Sequence, residues 1–119
     1  MDSPFEKAEK VLENDLAYAF FDLFPVSRGH MLIAPKRATP QIFDLNDAEY
    51  SACFDLVRRT KDYLKGKYSP DGFNIGINCG ETAGQTVFHA HIHVIPRYKD
   101  DVPNPRGGVR NVIPGKGDT

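Results

Sequence analysis

The sequence has no tryptophan, two methionines and only two cysteines. Cys53 and Cys79 cannot build a disulfide framework, and no Cys-x-x-Cys pair offers a zinc knuckle, so two reduced thiols are expected. An excess of one charge is missing too: 15 basic and 16 acidic residues give a formal net charge of −1. That balance excludes a general attraction to nucleic acid or anionic membrane, so any anion site must be built locally. No apolar run approaches the ~20 residues of a membrane span. The start, Met1 to Lys7, has no apolar stretch of the secretory kind, so the expected location is cytoplasmic. Repeats and low-complexity tracts are absent. What remains is 119 residues, 40% hydrophobic, enough for one domain over 1–119 with its own core.

Histidine is scarce as well, and its distribution is uneven. Three of the four histidines fall in Phe88-His89-Ala90-His91-Ile92-His93-Val94-Ile95-Pro96-Arg97. In a strand, alternate side chains take opposite faces. His89, His91 and His93 would share one face, and Phe88, Ala90, Ile92 and Val94 the other. Neighbouring imidazoles would then stand roughly 6.5–7 Å apart at Cα, from the strand rise.

Along the chain, the first residues read as a loose arm. Lys10 to Leu12 reads as a short strand, turned at Asn14-Asp15 into a strand from Leu16 to Phe21. Pro25 and Gly29 punctuate a loop before a third strand, His30 to Pro35. Arg37 to Asp44 is irregular. A helix of about five turns then starts at the N-cap Asn46, with Glu49 completing a capping box. Its apolar stripe is Cys53, Phe54, Val57 and Leu64; Gly66 and Ser69-Pro70-Asp71-Gly72 end it. Phe73 to Asn78 alternates as a half-buried strand does, and a loop through Cys79 to Thr86 leads to the histidine strand. Beyond Arg97, prolines and glycines leave an irregular tail over about 98–119. Strands in runs with one segregated helix predict an α+β fold: an antiparallel sheet of about five strands with one long helix on one face.

Three readings of the histidine row compete on residue chemistry. It is the polar face of an edge strand, or it is part of a metal site, with His30 and Asp22 as the best distant partners. The third is a nucleophile for phosphorus. Neutral imidazole is available near pH 7, and it can attack a phosphate and later yield to water. Gly84, Gln85, Thr86, Asn78 and Arg97 supply donors for the charge that such chemistry must neutralise.

The segment Asn78-x-Gly80-x-x-Ala83-Gly84-Gln85-Thr86-Val87-x-His89-x-His91-x-His93-Val94-Ile95-Pro96-Arg97 resembles the histidine-triad nucleotide hydrolases and transferases. So does the upstream stretch Ala19-Phe20-Phe21-Asp22-Leu23-Phe24-Pro25-x-x-x-Gly29-His30-x-Leu32-Ile33-x-Pro35-Lys36. The likeness runs from about Val11 to Arg97. It implies that His91 is the nucleophile, that His89 is buried and orients it, and that His93 touches the phosphate. Gln85, Thr86 and Gly84 would meet phosphate and the bridging oxygen, and Asn78 the phosphate or ribose. Asp22 would hold the ribose, with Phe20 and Leu23 lining the base pocket and His30 close to the triad. The resemblance implies a homodimer whose sheet continues across the interface. It implies cleavage at the α-phosphate of a nucleotide derivative, dinucleoside polyphosphates first and nucleoside phosphoramidates or adenylates second. A nucleotide-binding protein without turnover is the alternative. No cofactor is required; magnesium would enter only complexed to a polyphosphate. One family branch carries a zinc-binding N-terminal Cys-x-x-Cys, which is absent here, so no metal is expected. Another branch has glutamine at the third histidine; His93 favours the hydrolases. Arg106 and Arg110 in the tail are candidates for distal phosphates.

Overall fold

Two adjacent strands rich in apolar and aromatic residues form the centre of the sheet. In the computed structural model, which describes residues 3–117, the strands are β1 (Leu12–Glu13), β2 (Ala17–Phe21), β3 (Met31–Pro35), β4 (Gly72–Gly76) and β5 (Ile92–Arg97). The sheet runs β1-β2-β3-β5-β4, antiparallel at every pairing. Its one long helix, α1 (Asp47–Tyr68), lies on one face. This is the expected α+β architecture. The sequence does not foretell that β5 inserts between β3 and β4; that order puts the histidine strand beside β3, which His30 precedes.

Alternation decides the faces. Ala17, Ala19, Met31, Ile33, Ile92 and Val94 pack with Cys53, Leu56 and Leu64 of α1. The helix buries Glu49, Cys53, Leu56, Thr60 and Leu64, a stripe of period near 3.6. Phe54, expected in that stripe, is 46% exposed, and Leu56 takes the core position. The Asn46 capping box forms as read, but the helix has 22 residues. Gly66 lies inside it, and Ser69, left-handed at φ 52°, ends it.

The opposite face carries Tyr18, Phe20, Leu32 and Ala34, covered by Phe5. This overturns the loose arm. Pro4–Lys7 is a 3-10 turn, capped by Ser3, whose Oγ accepts the Phe5 N–H at 3.2 Å. Strand bounds shift as well. β1 begins at Leu12 rather than Lys10, and β4 stops at Gly76. β5 begins only at Ile92: upstream, the Ala90 N–H donates to the Thr39 carbonyl at 2.7 Å instead of joining the β4 ladder.

Gly29 feeds β3 with φ +89°. A Cβ there would lie 2.8 Å from the Tyr68 ring and 3.2 Å from Leu64. Gly29→Ala is expected to destabilise by about 2 kcal/mol, combining left-handed strain with overpacking. A urea melt reads this directly, and an unchanged midpoint would contradict it.

Candidate active site

Hydrogen-bond accounting assigns a role to each ring nitrogen. A carbonyl only accepts, so His91 Nδ1, 2.7 Å from the His89 carbonyl, carries its proton. In the neutral ring the Nε2 lone pair is then left free. His89 donates from Nε2 to the Pro35 carbonyl at 2.7 Å, and its Nδ1 accepts from the Ser3 hydroxyl at 2.7 Å. His30 Nδ1 accepts the Val26 N–H at 3.1 Å, so His30 Nε2 holds a proton. That proton faces His93 Nδ1, 3.0 Å from His30 Nε2, and Asp22 Oδ2 lies 3.5 Å from His30 Nε2. His93 Nδ1 therefore accepts, and its Nε2–H is left to donate. One ring offers a lone pair and its neighbour offers a donor, with ring centroids 5.0 Å apart.

Burial keeps these rings neutral. His89, His91 and His30 are 1%, 8% and 3% exposed. Desolvation is the main cause that lowers the pKa of all four histidines. His93 falls to about 4: burial is the largest cause, the adjoining His91 and His30 add to it, and Asp22 works the other way.

The remaining expected residues divide. Asp22 leads out of β2, bonded to the His30 carbonyl through its N–H at 3.0 Å, and accepts the Phe24 N–H at 2.9 Å. Phe20 is 3% exposed, with the Phe5 ring 5.0 Å away; Leu23 is 86% exposed. Asn78 is half-buried, and Gly84 and Thr86 are exposed. Gln85 is buried and its amide is fully engaged. Oε1 accepts the Gly80 N–H at 2.9 Å, and Nε2 donates to the Pro40 and Val87 carbonyls at 2.6 and 3.1 Å. In this conformation Gln85 ties the 80–87 loop to the segment after β3. Gln85→Ala is expected to cost about 1–3 kcal/mol, the range for orphaned buried groups, and to slow turnover through loop disorder. Thermal melts and kcat together check this; an unchanged melt would contradict it.

Arg97 is not brought to the histidines. It pairs bidentately with Asp101 at 2.8 Å and donates to Asn74 at 2.6 Å, pinning the tail. Arg106 and Arg110 lie farther along that exposed tail, around the turn Gly108–Val112. Two surface clefts of about 420 and 470 Å³ flank Arg97 and Asp101, and neither is lined by a histidine.

Asp22, His30 and His93 are also a metal-like cluster, with ligand atoms within 4.8 Å of one another. The Val26 N–H argues against a cation there. A metal on His30 Nε2 needs the ring proton on Nδ1, where that amide already donates. Sequence reading missed Ser3 and Phe5. The signal was a serine directly before a proline, a helix-start pattern.

Comparisons with known proteins bear on the fold and the family. The HIT domain family model matches residues 4–100. Bis(5'-nucleosyl)-tetraphosphatase [asymmetrical] of Schizosaccharomyces pombe is 43% identical over 86 residues, covering 72% of this chain and 47% of that protein. Bis(5'-adenosyl)-triphosphatase of Dictyostelium discoideum is 37% identical over 98 residues, covering 82% and 66%. A crystal structure of a HIT family protein from Bacillus anthracis superposes with a TM-score of 0.74 at 42% identity, covering 78% of this chain and 66% of that one. The chain thus spans about half to two-thirds of the length of these curated relatives.

Proposed function

Because this chain belongs to the HIT domain family, we propose that it is a nucleotide hydrolase acting at the α-phosphate through a covalent His91 intermediate. The observation that carries the reading is the His91 ring: Nδ1–H held by the His89 carbonyl, Nε2 free, and burial keeping the ring neutral. His91 Nε2 attacks the α-phosphorus. The bond to the bridging oxygen breaks, and the distal nucleotide leaves with that oxygen. Water then attacks the phosphorus, the phosphorus–nitrogen bond breaks with its electron pair returning to His91 Nε2, and a nucleoside monophosphate is released. The His93 Nε2–H, the Asn78 amide and the Thr86 hydroxyl are the donors assigned to the charge on the phosphoryl oxygens; the Gly84 N–H is spent on the Glu81 carbonyl at 2.9 Å. Asp22 receives the ribose hydroxyls. Dinucleoside polyphosphates are the favoured substrates, as the names of the yeast and slime-mould relatives suggest.

No resident cofactor is part of the reading; magnesium arrives only with a polyphosphate substrate. The chain is read as a cytoplasmic homodimer, joined along β4. Support comes from β4 being an edge strand that exposes Ile75 (41%). Among the described residues no helix is long and apolar enough to cross a membrane.

The test is a panel of dinucleoside polyphosphates and adenosine phosphoramidates, with products identified by mass. Rapid quench should trap an acid-labile adduct, about one per subunit, on His91. Turnover of phosphoramidates alone would shift the substrate class. No adduct from any member of the panel would overturn hydrolysis in favour of nucleotide binding.

A further inference from the structure

We infer that Ser3 and Lys10 are positioning residues, holding the N-terminal turn against the histidine row so that His89 keeps one tautomer and one place. The inference rests on the proposed role of His91, and it concerns how that ring is held.

The direction of each hydrogen bond is forced. The Pro35 carbonyl takes the His89 Nε2 proton, so in the neutral ring Nδ1 must accept. The Ser3 Oγ, 2.7 Å away, already accepts the Phe5 N–H, so its own proton goes to His89. On its other side His89 offers the peptide carbonyl that holds His91 Nδ1. The arm and the nucleophile are thus tied to the same residue. Ser3 is 6% exposed, so water does not readily replace it.

The turn is itself clamped. Lys10 Nζ donates to the carbonyls of Phe5, Glu6 and Ala8 at 2.7, 2.8 and 2.8 Å. An ammonium has three protons, and all three are used. The same nitrogen sits 4.4 Å above the Tyr18 ring of β2, and the next residue, Val11, bonds to Ala19 at 2.8 Å. Lys10 therefore fixes the turn to the sheet edge. The clamp delivers Phe5, whose ring lies 5.2 Å from His89 and stands edge-on to His91 at 5.0 Å. An apolar ring there limits water around the imidazoles and keeps them neutral.

The full chain decides this with three variants, Ser3→Ala, Ser3→Thr and Lys10→Met. Two readouts are needed: the ring-nitrogen shifts of the four histidines, and the single-turnover rate of His91 adduct formation. In the parent, His89 should show Nε2 protonated and Nδ1 bare. Ser3→Ala should slow adduct formation about tenfold, the rate equivalent of one lost hydrogen bond to a neutral group, with KM within about twofold. It should also move the His89 and His91 ring-nitrogen shifts. Ser3→Thr should restore both, and Lys10→Met should act in the direction of Ser3→Ala. A parental His89 protonated at Nδ1, or a Ser3→Ala variant with unchanged shifts and rate, would overturn the inference. So would equal losses in Ser3→Ala and Ser3→Thr that follow Tm alone. If the parent forms no adduct with any substrate, the His91 reading fails by itself. The ring-nitrogen shifts of Ser3→Ala then still decide whether the arm positions His89.

Discussion

His91→Asn should lower kcat by at least about 10⁴-fold while leaving nucleotide affinity nearly intact. Asparagine keeps an N–H at the position of Nδ1, so the His89 carbonyl still finds a donor. What it lacks is the Nε2 lone pair, the one ring-nitrogen lone pair in the row that no donor among the described residues faces. The neighbouring rings cannot take over. His89 spends both nitrogens on Pro35 and Ser3, and His93 has its Nδ1 lone pair facing His30. The loss is therefore chemical, and it falls on kcat rather than on binding. Single-turnover rates and equilibrium dialysis with a nonhydrolysable nucleotide separate the two. Turnover near the parental rate would remove His91 from the chemistry. A parallel loss of nucleotide affinity would instead make its role one of binding.

Local patterns made much of this readable. Alternation and aromatics placed β2 and β3 to within a residue or so, and the Asn46–Glu49 box placed the start of α1 on its first turn. These are signals carried by neighbours in sequence. The histidine row was legible as residues but not as geometry. Only Ile92 onward lies in the β5 ladder, because the peptide before it bonds to the segment after β3. Long-range pairings were invisible for a physical reason: a side-chain acceptor has no local signature. Ser3 meets His89 across 86 residues, and Gln85 meets Pro40 across 45. Gln85 read as a phosphate donor because its amide is a generic donor; only the fold shows which groups already use it. Arg97, one strand-length from His93, looked like an anion binder until Asp101, four residues on, closed around it. Phe54 reads as core because it directly follows Cys53 of the true stripe, but the helical turn points it off the face that Cys53 and Leu56 share.

Stability should fall steeply as pH drops from about 6.5 toward 4.5. The sign follows from linkage. The four histidines have folded pKa values below the 6.5 of a free imidazole, so the unfolded chain binds more protons across this window. Their contribution is complete above 6.5 and is lost as pH falls through the folded values, last of all at His93, near 4. Each ring that stays neutral in the fold can steepen the curve by at most about 1.4 kcal/mol per pH unit. The lowered carboxylates, Glu49 beside Arg37 and Asp101 beside Arg97, act in the same sense but only below their ordinary range. Urea melts from pH 8 to 4.5 give the slope, and a flat profile between 7 and 5 would contradict the neutral, buried rings. Every histidine of the chain belongs to this one cluster, so the slope is a reading of the site itself. Nucleotide provides the control. A phosphate set against His91 and His93 favours their charged forms, so a bound monophosphate should flatten the same curve.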